Sequence, residues 1–420
     1  MNMRKRALIV GLGIAGMSAA VGLREAGWDP VVVERAPRRR TGGYFVNLMP
    51  EGVNAAADLG LDDLHTRDPE RGTTWVLNRR GHRRPALSWL DLPSRPTAMV
   101  RGDVEAALWH TMAGRRQGEG GVEVRMATVP LEIVQDDRAV EVMLEDVSSG
   151  TRYRETFDLV IGADGLRSTV RRLAFGPHER FMTSWNAMIC AFGPPEQAPS
   201  FGAQDSIVSA RPGRAVWVFG LADRAPTALL TYCTKDIDAQ FTGDRTERLR
   251  AVFHDMGHPA VRHVLDALPQ APDHLFDSVH QVKTDRWSTG RVMVTGDAAW
   301  CLNLFSGVGT TAALRGGAEL GRVLRERPDH LGAAPAAWEA GLRPFVATHQ
   351  RMARLKHQWF VPTNRVLAGV RALAMHLAVN ARRADTEARL LRAALRDEVG
   401  GTCHPQSGTR RHRGTAVPGS

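Results

Sequence analysis

Residues Ala7 to Glu34 read ALIVGLGIAGMSAAVGLREAGWDPVVVE. Ala7 to Val10 is a short unbroken apolar run, which predicts a parallel strand buried on both faces. Gly11-Leu12-Gly13-Ile14-Ala15-Gly16 follows with G-x-G-x-x-G spacing. It opens an apolar helix that extends to about Ala26 and stops at Gly27. A second strand, Val31 to Val33, closes on Glu34. Gly11 permits the tight turn, Gly13 lets backbone N–H groups approach a pyrophosphate, and Gly16 lets helix and strand pack closely. The helix N-terminus favours the anion. Glu34 lies eighteen residues past Gly16, where a carboxylate accepts hydrogen bonds from a ribose diol. The glycine spacing alone fits any glycine-rich turn. With strand, helix, second strand and acid in register, it predicts a dinucleotide site.

The basic Met1 to Arg6 followed by an apolar stretch has the outline of a secretory leader, but the glycine spacing fits a folded βαβ unit better. No run of eighteen apolar residues occurs elsewhere, so no membrane span is expected. The chain has 420 residues, enough for two domains, and 43% hydrophobic content supplies a sizeable core. The net charge of +10 reads as a solvated basic surface or as attraction to anionic partners: nicotinamide phosphates, acidic substrates or a membrane surface. No nucleic-acid recognition motif is present, so nucleic acid is not expected as a partner. Cys190, Cys233, Cys301 and Cys403 show neither pairing nor metal-ligand spacing, which points to free thiols in a reducing cytoplasm and to no metal site.

Beyond Glu34 comes Arg35-Ala36-Pro37, then Arg38 to Arg40, then Thr41-Gly42-Gly43-Tyr44-Phe45-Val46. The paired glycines allow backbone to approach a cofactor, or form a plain loop. Glu51 to Leu61 reads as a helix, and Trp75 to Leu90 as a hairpin turning through Asn78 to Arg84. Arg101-Gly102-Asp103 starts a helix over Val104 to Met112, with Asp103 able to cap it. Arg101 at the helix entrance suits an anionic ligand or a surface salt bridge. Val122 to Val147 alternates as in a small antiparallel sheet.

Asp158 to Arg171, DLVIGADGLRSTVR, predicts a buried strand, a tight turn through Asp164-Gly165 and a short polar helix. Asp164 is placed to bond a sugar or phosphate-side group, with Gly165 making room. From Phe175 to about Gln281 the texture becomes antiparallel sheet, including Ala215 to Gly220 and Ala228 to Cys233, interrupted by a helical insert over Thr246 to Leu268. Trp185, Phe192, Trp217, Phe219 and Tyr232 are candidates to line an apolar pocket, although most aromatics at such spacing are core. Trp287 to Ala312 predicts a buried strand ending at Gly296-Asp297, then a loop whose Gly307 and Gly309 lead into a helix from about Thr310 to Arg325. That gives a second helix N-terminus facing a ligand. Ala336 to Arg396 reads as mostly helical, broken at Pro344 and Pro362, and Gly400 to Ser420 has the composition of a disordered tail.

Together these three stretches resemble the group A flavoprotein aromatic hydroxylases, with the para-hydroxybenzoate hydroxylase fold, over roughly Arg6 to Arg351. Within the group the chain looks most like the bacterial branch of tetracycline-modifying monooxygenases and antibiotic-tailoring enzymes. The resemblance implies an α/β fold: a Rossmann-like FAD-binding domain of glutathione-reductase type, a mainly antiparallel β-sheet substrate domain, and C-terminal helices. The expected division is 1–75, 98–176 and 285–345 for FAD, 76–97 and 177–284 for substrate, 346–399 for helices and 400–420 for the tail. By the same resemblance Gly11, Gly13 and Gly16, with Ile14 and Ala15 between them, cradle the FAD pyrophosphate. Glu34, followed by Arg35, holds the adenosine ribose, and Arg101 contacts the flavin side. Asp164 and Gly165 lie in a motif tied to FAD and NAD(P)H. Gly296 and Asp297 meet the ribityl and pyrophosphate region, and N–H groups near Gly307, Gly309 and Thr310 face the pyrimidine ring.

With the cysteine usage pointing to the cytoplasm, a monomer or homodimer is expected. By the resemblance it would use NAD(P)H and molecular oxygen to hydroxylate, epoxidise or insert oxygen into an aromatic or polyketide-like substrate through a flavin C4a-hydroperoxide. No protein acid/base pair is expected to be essential, because the flavin carries the chemistry. One departure stands out. Where the family has His or Tyr and then prolines after Gly-Asp-Ala-Ala, this chain has Trp300, Leu302 and Leu304. A more apolar, less rigid loop against the flavin follows, and it motivates an alternative: an FAD-binding, non-redox cyclase or isomerase. A flavin-binding regulatory or membrane-associated protein is a third reading, resting on basic charge and the carboxy-terminal helices.

Overall fold

The computed structural model describes residues 4–375, 377 and 380, apart from 40–41, 63, 79, 92–93, 115–120, 195, 272–273 and 328–331. Residues up to Arg371 form one compact unit and Ala372 begins a second. The expected helical region to 396 is described as far as 375, as α9 and a helical stretch over 365–375; most of its remainder, the tail, Cys403 and Arg40-Thr41 lie outside the described residues. The α-helices are α1 (Ile14–Glu25), α2 (Pro50–Asp58), α3 (Arg101–Ala113), α4 (Thr169–Ala174), α5 (Arg245–Phe253), α6 (Pro259–Ala267), α7 (Asp297–Trp300), α8 (Gly309–Glu326) and α9 (Ala334–Phe360).

The apolar run of the opening stretch forms strand Arg6–Val10, at the centre of a six-stranded sheet. It pairs in parallel with Asp29–Val33 on one side and Leu159–Gly162 on the other, with Ile9 opposite Val32 and Ile161. Leu8, Ile9, Val32, Val160 and Ile161 are completely buried, as an unalternating apolar run requires when helices cover both faces. On one face α1 and α8 run side by side in the same direction, Ser18 against Gly317 and Gly22 against Gly321. A Cβ on Gly317 would stand 2.3 Å from the Ser18 backbone carbon. This approach keeps the first turns of both helices at the same end of the sheet.

Glu123–Arg125 joins this sheet, parallel to Asp29–Val33, rather than the small antiparallel sheet expected for it. That small sheet consists of Thr128–Gln135, Val140–Asp146 and Thr151–Phe157. Asp103 does not cap α3: Val100 holds the cap position, and the Asp103 carboxylate pairs with Arg67 and Arg224 at 3.1 Å each.

A seven-stranded sheet runs in the order Leu275–Val282, Met182–Phe192, Thr227–Cys233, Arg214–Phe219, Ser206–Arg211, Thr74–Leu77, Arg83–Ala86. Side chains alternate across it. One face, with Cys190, Phe192, Val216, Val218, Leu230 and Tyr232, packs on Leu249 and Phe253 of α5 and Val261 and Val264 of α6. The other face carries Ile189, Ala215, Trp217, Phe219 and Leu229, and meets Phe305 and Phe360. Phe192 and Tyr232 are therefore core residues under helices. Only Trp185, Trp217 and Phe219 of the five aromatics singled out stand on the open side.

Two expected boundaries shift. Thr74 and Trp75 already belong to a strand of the seven-stranded sheet. Pro344 lies inside α9, which runs unbroken past 345. A proline removes one backbone donor and bends a helix, but the packing of Trp338, Leu342, Val346 and Ala353 holds this one together. Among the described residues, no helix is long and apolar enough to cross a membrane.

Candidate cofactor and substrate site

Strand Arg6–Val10 ends in a turn that only glycine can make. Gly11 has φ of +107°, and a Cβ there would lie 2.6 Å from the Ala163 carbonyl oxygen. Gly13 is extended and caps α1, with nothing within 4 Å of where its Cβ would be. The first turn of α1 has no side-chain cap and no acid. Its N–H groups at Ile14, Ala15 and Gly16 thus point out of the helix without an intrahelical acceptor, beside the open space at Gly13. That is a cradle for a phosphate, with the helix dipole of the right sign.

Glu34 is fixed at this turn. One carboxylate oxygen accepts from the Leu12 N–H and the other from the Ala36 N–H, each at 2.9 Å. Each oxygen keeps a lone pair for a hydroxyl donor. Arg35 next to it is exposed.

Asp164 was expected to reach a sugar or phosphate-side group. Its carboxylate instead turns inward and takes hydrogen bonds from Ser168 Oγ, Thr169 N–H and Val170 N–H, closing the N-terminus of α4. Burial pushes its carboxyl above the ordinary range, and those donors pull it back. Gly165, at φ of +78°, makes the turn that permits this. Sequence reading missed Arg171, which is fully buried and donates to the carbonyls of Ala298 (2.8 Å) and Leu166 (2.7 Å). It bolts the second motif to the third.

Gly296 brings the third motif against α1. Its φ is +59°, and a Cβ would sit 2.6 Å from Ala15 Cβ. Asp297 then starts α7 beside the first turn of α1. It is open to solvent yet crowded by protein, as on the floor of a cleft. Burial raises its carboxyl above the ordinary value, opposed by the Cys301 thiol and by the charge of Arg101. Arg101 pairs with Glu105 at 2.6 Å, and its backbone N–H donates to Tyr44 O. Burial disfavours its charge, but Tyr44, Glu105 and Asp297 together outweigh that and hold it firmly protonated. A cavity of about 440 Å³ opens beside it, between Gly43, Gly102 and Thr227, rimmed by Arg39 and Arg224.

The loop from Cys301 to Val308 closes the cleft. Gly307 turns left-handed (φ +68°), and α8 begins at Gly309 with neither a side-chain cap nor an acid in its first turn. Gly309 is exposed and Thr310 half-buried at this second unspent N-terminus. Two amides flank it, and both were missed from sequence: Asn303 Oδ1 and Nδ2, and Asn47 Oδ1, are buried with no hydrogen-bond partner among the described residues. Asn47 Nδ2 lies 3.3 Å from where a Gly307 Cβ would be. Orphaned amides beside unspent backbone N–H groups suit a polar planar ring with both donors and acceptors, as an isoalloxazine pyrimidine presents.

Two contacts tie this loop to α9. Lys356 Nζ of α9 donates to Ser306 O at 2.7 Å, and Phe305 is completely buried against His357. Trp300 does not face the cleft. The α7 turn sends it into the core, 4.4 Å from Trp287 and 5.7 Å from Trp338 between ring centroids, and Leu302 is buried there too. Of the three departures only Leu304 packs on the aromatic face of the large sheet.

The family described as "FAD binding domain" matches residues 4–328. An uncharacterized protein of Mycobacterium tuberculosis is 30% identical over 382 residues, covering 86% of this chain and 93% of that one. A flavin-dependent monooxygenase of Legionella longbeachae is 26% identical over 370 residues, covering 84% and 88%. The crystal structure of the tetracycline destructase Tet(51) superposes with a TM-score of 0.70 at 25% identity, over 90% of this chain and 97% of that one. The glycine cradle, the two unspent helix ends and these matches agree: the chain belongs to the FAD-binding-domain family and is an FAD-dependent monooxygenase of the group A flavoprotein type.

Proposed function

We propose that this enzyme uses NAD(P)H and molecular oxygen to place one oxygen atom on an aromatic or polyketide-like natural product bound against the open face of the seven-stranded sheet. The observation that carries this is a connected series of rings. Trp89 lies 4.7 Å from Phe45, Phe45 4.1 Å from Phe219, Phe219 6.1 Å from Trp217, Trp217 4.9 Å from Phe360, and Phe360 6.1 Å from Phe305. Phe45 adjoins Tyr44, which holds Arg101, and Phe305 sits in the loop before Gly307. The series thus runs between the two walls of the cofactor cleft. Flat polycyclic bodies stack on such walls and lose little freedom in doing so.

In this reading Gly11, Gly13 and the N–H groups of Ile14, Ala15 and Gly16 hold the FAD pyrophosphate. Glu34 accepts from the ribose, with Arg35 at the rim. Asp297 and Gly296 take the ribityl side, Arg101 the flavin side, and Gly307, Gly309 and Thr310 the pyrimidine edge. Asp164 and Gly165 act by fixing the turn beside the cleft. The group held there, FAD, would supply the redox chemistry: acceptance of a hydride from NAD(P)H and activation of oxygen. The chain's own residues orient the substrate and keep water out: Phe305 and Val361 are fully buried at the back of the aromatic face. For a hydroxylation, one oxygen atom enters a C–H bond, the other leaves as water, and NAD(P)H with one proton is consumed. The cyclase alternative rested on the loop departure, and with Trp300 and Leu302 in the core only Leu304 remains of that motive.

The test is incorporation from labelled oxygen gas into a polycyclic phenolic acceptor, followed by mass spectrometry, with NAD(P)H consumption measured alongside. One labelled atom per product with matching NAD(P)H use is expected. Product whose new oxygen atom is unlabelled, and so comes from water, would overturn the reading.

A further inference from the structure

Arg371 is 8% exposed, and its Cζ stands 5.8 Å from the centroid of the Trp217 ring. Its Nε and Nη2 have no hydrogen-bond partner among the described residues. Among the described residues no acidic side chain acts on it, and burial lowers its proton affinity, to about 10. A buried guanidinium with nothing opposite it is costly, and proteins keep such groups where a partner arrives from outside.

The neighbouring face has the same imbalance. Trp217 Nε1 and Thr231 Oγ1 are also buried and have no hydrogen-bond partner among the described residues. Trp217 stands opposite Leu229 across its strand pair and Thr231 opposite Ala215, so both project from the open face of the sheet. Guanidinium and indole N–H groups only donate. The two free atoms of Arg371, Nε and Nη2, are the parallel pair along one edge of the guanidinium, which matches the two oxygens of a carboxylate.

Building on the aromatic face as the substrate site, we propose that Arg371 is its anion anchor, and that the substrate is a polycyclic aromatic body bearing a carboxylate. Its rings lie along Trp217, Phe219 and Phe360. Its carboxylate takes paired hydrogen bonds from Arg371 Nε and Nη2, with Trp217 Nε1 donating to the same group. Selection of substrates is then by charge at one end and by ring stacking along the body.

Calorimetric titration of the FAD-loaded full-length enzyme with anthracene-2-carboxylate and its neutral isostere anthracene-2-carboxamide tests this. The wild type is expected to bind the acid at least about tenfold more tightly than the amide. Arg371→Met is expected to bind the two alike and to melt no lower than wild type, because it removes an unpaired buried charge. Arg371→Lys, which keeps the charge and loses the fork, is expected to fall between. Equal affinities in the wild type, no binding of the acid, or an acid preference that survives in Arg371→Met would overturn the proposal. So would an Arg371→Met enzyme that melts well below wild type, since that marks an internal counter-ion. An enzyme that prefers the acid but incorporates no oxygen would sink the monooxygenase reading and leave the anchor standing. One that oxygenates but is indifferent to the acid would sink the anchor alone.

Discussion

Lys356 Nζ donates to the carbonyl of Ser306 at 2.7 Å, so the longest described helix holds the loop that closes the cofactor cleft. Burial lowers the lysine's proton affinity, and no carboxylate offsets that. The contact is therefore kept for the loop's position. Lys356→Met leaves the carbonyl unsatisfied and should lower stability by about 1–2 kcal/mol. It should also raise the rate of FAD loss, followed as the recovery of flavin fluorescence on dilution. A variant with wild-type melting and FAD release would show that the loop holds itself.

Gly11 and Gly13 are two residues apart and should answer the same substitution differently. Gly11→Ala forces a side chain at φ +107° and drives it into the Ala163 carbonyl. It should destabilise the protein by about 2–4 kcal/mol. Gly13→Ala meets nothing in the protein, so melting should stay within about 0.5 kcal/mol of wild type. FAD affinity should nonetheless fall about tenfold or more, because the new methyl occupies the phosphate's approach. Thermal melts with and without added FAD separate the two outcomes. Unchanged FAD affinity in Gly13→Ala would mean that the pyrophosphate lies elsewhere.

Trp300 and Trp217 form a second contrast. Trp300→Ala opens a hole between Trp287 and Trp338 and should cost about 3–5 kcal/mol. Trp217→Ala, on the open face, should retain FAD and fold while losing stacking with polycyclic ligands. Ligand titration of FAD-loaded protein reads this directly, and retained ligand affinity would contradict the placement of the substrate.

His280, His349 and His357 all have their proton affinity lowered by burial. His357 lies between Phe305 and Trp185 with its Nε2 unpaired. Below the ordinary imidazole value of 6.5 the unfolded chain takes up protons that the folded one refuses. Stability should therefore fall as pH drops through and below that value, down to the depressed folded values. His357→Phe should lose less stability across that acid window than wild type, measured as the difference in melting temperature between neutral and acid buffer. Parallel pH profiles for the two proteins would show that His357 does not titrate with folding.

The βαβ unit was legible because an unbroken apolar run, a fixed glycine spacing and a terminal acid are all local signals. The large sheet was legible as alternation, but alternation gives parity without saying which face is covered. Phe192 and Trp217 therefore looked alike until α5 and α6 were seen over one of them. Trp300 misled because it adjoins the loop in sequence, while a single helical turn sends it into the core. Asp164 shows a different limit: a carboxylate in an Asp-Gly turn can serve a ligand or the next helix, and the local sequence gives no sign that Ser168, Thr169 and Val170 already donate to it. Arg171, Lys356 and Arg371 gave no local signal, since the contacts that decide their roles, with Ala298, Ser306 and Trp217, lie far away along the chain.

The most direct test of the central claim is the visible spectrum of the purified protein, recorded without oxygen before and after adding NADPH or NADH in the presence of an aromatic ligand. The account predicts a bound-flavin spectrum that a nicotinamide bleaches and that air restores. A protein that neither contains nor binds flavin, or one whose flavin dithionite reduces but neither nicotinamide does with ligand present, would contradict it.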